Sequence, residues 1–355
     1  MAWILGFATM AGFYPWWQDP VTGPKTIALL VGLPLVLWQS RTTVTWAHVA
    51  LLAWLGVTTI TALWAPNSGL AWAEVLAIGL LTMAFWIGQD SMDLAMSGAA
   101  WGLGLSSTLV LLHLLGHTPL PGSVQPAGLF SNKNFLGEAS TMVLVWALWR
   151  QRWALAILVL PSVALTSTRE AFLGLGLAGV AWLHGKRPWL GQLAFGIGFA
   201  LACTWNSESL QLRFVWWGEA LSHLAWLGHG PGSFWPLFPE FNHTYALSGT
   251  LLERPEYPHN ELVGLAFGLG LWAIVPVAFL ALLAFGRDKI LLVAPAVACL
   301  LAFPLHVPGS LLLVGLLAGH CSGGLPGVGR PSRTWLSTLL PRLANADRGI
   351  GLGGA

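Results

Sequence analysis

Charge is scarce in this chain. Asp, Glu, Lys and Arg together make up 8% of its 355 residues, about a third of their usual share in a globular protein. So few charges cannot cover a water-facing surface, which excludes a chain of two or three soluble domains. The net charge of +2 gives no reason to expect a nucleic-acid partner. Cysteine is nearly absent too: Cys203, Cys299 and Cys321 are odd in number, share no metal-type spacing and sit within or at the end of apolar segments. That pattern excludes a disulfide framework and a zinc site and leaves small packing residues. The first apolar segment, 2–17, also lacks the Lys or Arg that precedes the core of a signal peptide, so it is expected to stay as a first helix.

Apolar residues are what the chain does have. The hydrophobic fraction is 55%, with 22 tryptophans, and the mean hydropathy is +0.69. Lipid is therefore the expected solvent, with Trp favoured where helix ends meet headgroups. Apolar stretches recur at 2–17, 26–39, 46–64, 70–88, 94–116, 135–149, 153–167, 171–185, 189–205, 260–285, 290–304 and 307–320. Each is about long enough to cross a core of ~30 Å at ~1.5 Å per residue. The expected fold is all-α: a polytopic integral membrane protein of about twelve transmembrane helices over 1–320. A tail over 321–355, rich in Gly, Pro and Arg, is expected to lack packed structure.

Under that arrangement Arg41, Arg150, Arg152, Lys186, Arg187, Arg287, Lys289 and the four tail arginines fall on the side of the termini. Lys25, Lys133, Arg169, Arg213 and Arg254 fall on the other. The excess predicts that both termini are cytoplasmic. The longest polar interruption, 206–258, then lies outside, and a loop of that length is usually functional or disordered. Its first part reads as an interfacial helix, with Phe214, Trp217, Leu221, Leu224 and Ala225 on one face and Arg213, Glu219 and His223 supplying polarity. Gly228 to Gly232 breaks it.

Four outward clusters could carry chemistry. In Gly128 to Gly137, Asn and Gly either cap a helix or, with Lys133 and Asn134, present donors to an anion. In Ser167-Thr168-Arg169-Glu170, Arg169 either snorkels or pairs with Glu170, or it waits for a phosphate. Arg213, in Leu212-Arg213-Phe214-Val215-Trp216-Trp217, either stacks on Trp among headgroups or binds an anion. In Pro258-His259-Asn260, Asn260 either caps the next helix, or His259 is a base at the mouth of a cavity. The letters Gly174-Leu175-Gly176-Leu177-Ala178-Gly179 match a dinucleotide fingerprint, but no strand precedes them, so close helix packing is expected instead. Glu74 and Glu138, within expected helices, are either polar anchors or cavity walls.

Taken in order, the Gly128–Gly137 segment with Asn134, the turn at Thr168-Arg169, Arg213 before a Gly-rich loop, and His259-Asn260 opening a Gly-containing helix resemble the O-antigen ligase superfamily. That group includes the lipopolysaccharide O-antigen ligase, O-antigen polymerases and some protein O-oligosaccharyltransferases. The resemblance covers roughly 128–285. One departure is visible: members often carry an acid shortly before the Gly of this helix, whereas Gly268 precedes Gly270 here, and Glu261 is the nearest substitute.

The resemblance implies a GT-C-like membrane glycosyltransferase in the bacterial inner membrane. It would move a glycan from undecaprenyl diphosphate to an acceptor hydroxyl, on lipid A core or another glycan acceptor, at the periplasmic face. Carried over, Arg169 and Arg213 grip the diphosphate, His259 orients or deprotonates the acceptor, and Lys133, Asn134 and Asn260 add contacts to diphosphate or glycan. No carboxylate pair at ligand spacing faces outward, so neither a metal nor another cofactor is expected. A transporter is the rival from another class, though no internal repeat is apparent.

Overall fold

The computed structural model describes residues 1–13, 22–40, 43–117, 127–130, 132–186, 207–241, 257–325 and 327–328. Among these the chain is mostly helical with no strand. The expected span 189–205, the loop segment 242–256 and the tail from 329 lie outside the described residues. The helices are α1 (Ala2–Ala11), α2 (Thr22–Leu37), α3 (Trp46–Thr61), α4 (Ser68–Leu114), α5 (Lys133–Trp149), α6 (Trp153–Thr166), α7 (Arg169–Lys186), α8 (Ser207–Ser222), α9 (Phe234–Phe241), α10 (Glu261–Leu269), α11 (Ile274–Leu283), α12 (Val293–Leu301) and α13 (Pro308–Ser322). Among the described residues three stretches are long and apolar enough to cross a membrane: Trp46–Trp64, Ser68–Leu114 and Glu261–Leu283. Five further apolar helices are shorter.

The structure differs from expectation in α4, which joins the separate spans expected over 70–88 and 94–116 into one helical run. Residues 89–93 are Gln, Asp, Ser, Met and Asp, so no Gly or Pro ends the hydrogen-bonded ladder there. The run is bent. A straight helix would hold Glu74 and Gly102 about 42 Å apart. Yet Glu74 contacts His306 at 2.6 Å; Gly309, three residues on, lies against Met10; and Met10 lies against Gly102.

Small residues let the helices around α4 approach closely, as lipid-embedded packing favours. Gly6 of α1 meets the backbone at Ala95, and Gly98 meets the backbone of Trp3. Gly88 meets the backbone of Leu316 in α13, and Gly319 that of Phe85. A side chain at any of these positions would force the helices apart. Phe85, Met96, Trp146 and Leu316 fill the core between them. Lys25, expected in an outer connection, instead lies within α2 and is buried: its Nζ donates to Met10 O at 2.7 Å and sits over the Phe130 ring. A cation in an apolar setting needs such partners.

Polar contacts gather at two ends of the bundle. One end holds Ser40 with Asp90, Arg150 with Asp93 and His320 with Asp288. The other holds the candidate site.

Candidate functional site

Four of the clusters singled out above meet at this end. Asn132 caps α5, its Oδ1 accepting from Asn134 N at 2.8 Å. Lys133 and Asn134, both half-buried, therefore open the helix in its first turn. One turn on, Gly137 leaves room for Thr166 and Thr168, so the start of α5 packs on the turn between α6 and α7. Ser167 makes that turn in a left-handed conformation, with φ 49°. The chain can then pass from Thr166 to Arg169 within two residues.

Arg213 comes from α8 and is buried. Its Nη1 donates to Glu170 Oε1 at 2.8 Å and to Leu301 O at 2.5 Å. Arg169 is half-buried in the electrostatic field of Glu170 and Arg213. The helix turns Arg213, Trp216 and Ala220 inward and leaves Leu212, Phe214, Val215 and Leu221 exposed. Of the expected apolar stripe, Phe214, Leu221 and Leu224 are exposed, whereas Trp217 is half-buried with its Nε1 donating to Pro258 O at 2.7 Å, and Arg213 sits on the packed face rather than the polar one.

His259 has φ 53°, a backbone region that costs a non-glycine residue roughly 1 kcal/mol. Its ring stacks on Trp216 with centroids 5.7 Å apart and meets Phe303 edge-on at 4.9 Å. Burial, and secondarily Arg213, hold its pKa down at about 4, so the imidazole is neutral at pH 7. Asn260 Oδ1 accepts from Leu262 N at 3.0 Å and Val263 N at 3.2 Å, capping α10.

The Gly-rich run crosses the break between α10 and α11. Gly230 N donates to Gly268 O at 2.9 Å, His229 N to Phe267 O at 3.1 Å and Leu271 N to Trp226 O at 3.0 Å. Gly270 takes φ 59°, ψ −131°, a conformation open almost only to glycine. The backbone of Gly230 would lie 3.2 Å from a Cβ at Gly268. A side chain at 268 would have to displace that backbone by a few tenths of an ångström.

The sequence reading did not include His306. It lies in the turn Pro304–His306 between α12 and α13. Its Nε2 is 2.6 Å from Glu74 Oε1, and its Nδ1 is 3.4 Å from Glu261 Oε1, an ion-pair distance rather than a made hydrogen bond. Glu261 Oε1 also accepts from Leu305 N at 2.9 Å. Tyr257 covers the imidazole, with centroids 3.9 Å apart. Burial favours the neutral ring, but Glu74 and Glu261 together outweigh it and raise the pKa well above the usual value. A lone His in an otherwise apolar Phe303-Pro304-Leu305-His306-Val307 run was the available signal, since ionisable groups at membrane depth are costly.

Glu74, Ser233, Tyr257, Asn260, Glu261 and His306 line a cavity of about 70 Å³ walled by Trp54, Phe234, Phe267 and Phe303. A second, apolar hollow of about 450 Å³ lies between α11 and α12 and shares Trp54, Glu261, Leu265 and Leu305 with the first. Glu138 is buried with neither carboxyl oxygen hydrogen-bonded, and it feels Glu170, Arg213 and Glu261. Among the described residues no three His, Cys, Asp or Glu side chains are arranged as metal ligands. The fingerprint-like glycines lie inside α7: Gly174 packs on Thr141 and Ala294, while Gly176 and Gly179 face open space. No protein-family model matches the chain, and no curated protein matches it.

Proposed function

We propose that this chain is a membrane glycosyltransferase that passes a glycan from undecaprenyl diphosphate to an acceptor hydroxyl, in the manner of O-antigen ligases. The observation that carries the reading is convergence. Arg169, Arg213 and His259, from three separate parts of the sequence, meet at one end of an apolar helical bundle beside an aromatic-walled cavity. In this reading the site end is periplasmic, both termini are cytoplasmic and the membrane is the bacterial inner one. Guanidinium groups present paired, permanently charged donors, which suits a lipid diphosphate. The acceptor oxygen attacks the anomeric carbon, the bond to the diphosphate breaks with its electron pair, and the guanidinium groups stabilise the charge that develops there. Direct attack inverts the anomeric centre.

His259, neutral and fixed between Trp216 and Phe303, orients the acceptor beside the arginines. Lys133 and Asn134, where α5 begins, add donors toward the diphosphate or glycan in this reading, and Asn260 caps α10 next to His259. Lipid A core makes the chain a ligase; another lipid-linked glycan or a protein hydroxyl makes it a polymerase or an oligosaccharyltransferase. The test is glycan transfer by protein in lipid nanodiscs. Arg213→Ala is expected to abolish product on every acceptor while the protein still inserts, and chelator is expected to leave the wild-type rate unchanged. Normal turnover in Arg213→Ala would remove its assigned role, and inhibition reversed by added metal would overturn the metal-free route.

Buried Glu138 favours a second reading, a proton-coupled transporter, because unpaired carboxyls in membrane helices commonly belong to ion pathways. Acidification of proteoliposome lumens coupled to solute uptake would support it against the transferase.

A further inference from the structure

We propose that the cluster of Glu74, His306 and Glu261, rather than His259, takes the proton from the acceptor hydroxyl; this inference rests on the transferase reading above. Three elements build the cluster: α4 supplies Glu74, the turn Pro304–His306 supplies the imidazole, and α10 supplies Glu261 in its first turn. With His306 as imidazolium between two carboxylates, the group carries one net negative charge and has room for one more proton. His306 Nε2 engages Glu74 Oε1, leaving Oε2 as the carboxylate oxygen not engaged with the imidazole. Tyr257 lies tilted over the imidazole with ring centroids 3.9 Å apart and holds it in place.

The cavity also keeps polar atoms unspent. Ser233 Oγ lines it, is 1% exposed and has no hydrogen-bond partner. His306 Nδ1 likewise makes no hydrogen bond at its 3.4 Å distance from Glu261. Buried polar atoms in native proteins are normally satisfied, so two in residues lining this cavity mark a place where a polar ligand group completes the set. About 70 Å³ holds a few water-sized groups. It fits the hydroxyl-bearing edge of a sugar and not the whole ring. Aromatic walls beside paired carboxylates suit that edge, with C–H faces against the rings and O–H groups toward the acids.

His259 is the poorer proton acceptor. A proton on its ring would place a second buried positive charge beside Arg213, in a slot closed by Trp216 and Phe303. In the step inferred here, an acceptor oxygen lone pair forms the bond to the anomeric carbon. The bond from that carbon to the diphosphate oxygen breaks and its electron pair stays on the diphosphate. The acceptor proton moves to Glu74, leaving the cluster neutral, and it returns to water after product leaves.

The groups facing His306 are Glu74 from α4, Glu261 from α10 and Tyr257 from the preceding connection, with Glu138 and Arg213 next beyond Glu261. The experiment compares wild type, Glu74→Gln, His306→Gln and His259→Gln in nanodiscs, reading kcat, donor-lipid binding and the pH profile of kcat. Glu74→Gln is expected to lower kcat by about 100-fold or more with donor binding unchanged, and His259→Gln to lower it less. Removing the imidazolium raises the affinity of the carboxylates for protons, so His306→Gln is expected to move the acid limb of the profile to higher pH. That readout also serves if Glu74→Gln does not accumulate as folded protein. Wild-type transfer with an unchanged rate in Glu74→Gln, or an unmoved acid limb in His306→Gln, would overturn the assignment of the base and leave the transferase standing. No transfer by the wild type to any acceptor would overturn both.

Discussion

Arg213 and Glu170 form an ion pair with side chains only 8% and 5% exposed. Breaking such a pair from one side leaves an uncompensated buried charge, at a cost of about 3 kcal/mol or more. Glu170→Gln is therefore expected to lower the thermal midpoint, and replacing both residues by apolar ones of similar volume to cost less than either single change; thermal unfolding in nanodiscs checks both. The two histidines of the connections should act oppositely with pH. His259, held at about 4, binds its proton more readily unfolded, so its contribution is full above about 6.5 and is lost as pH falls toward 4, by roughly 3 kcal/mol at most. His306 is raised, so its contribution is full below about 6.5 and is lost as pH rises through its folded value. His259→Gln should flatten the acid side of a plot of midpoint against pH, and His306→Gln the alkaline side. Arg169, Arg213 and His259 were legible in the sequence because a cation or imidazole next to an apolar span stands out. The pairing of Arg213 with Glu170 and of His306 with Glu74 and Glu261 was not, because those residues meet only through tertiary packing.

At the scale of elements, apolar runs marked most helices, and Asn132 and Asn260 marked two helix starts by their capping chemistry. The break inside 261–283 was hidden, because Gly270 stands in an unbroken apolar run and its need for a left-handed backbone comes from the Gly228 to Gly232 segment lying across it. The bend in α4 was hidden for the converse reason: polar residues at 89–93 suggest a loop, yet none of them stops helical hydrogen bonding. Gly270→Ala is expected to cost about 2 kcal/mol through backbone strain and to disturb the Gly-rich crossing. Gly176→Ala, in α7 with open space around it, should be neutral or slightly stabilising. Folded yield and thermal midpoint compare the pair; equal losses would contradict the role given to the crossing.

Among the described residues, polar contacts gather at two ends of an apolar bundle, and one of these ends combines two arginines, two histidines and a cavity. An apolar hollow shares four residues with that cavity, so an amphiphile could place its polar part near Glu261 and its chain between α11 and α12. Composition already implied a membrane setting, since so little charge cannot dress a soluble surface. What composition could not convey is which polar residues share an end, because that depends on the doubling back of α4 and the seating of the turn at His306. The central claim is glycosyl transfer from a lipid diphosphate. Its most direct test is release of undecaprenyl diphosphate by the purified wild-type protein in nanodiscs, with a lipid-linked glycan as donor and lipid A core or a second glycan lipid as acceptor. Release that requires one of these acceptors is the predicted result; no release with either, from protein shown to be folded, would contradict the account.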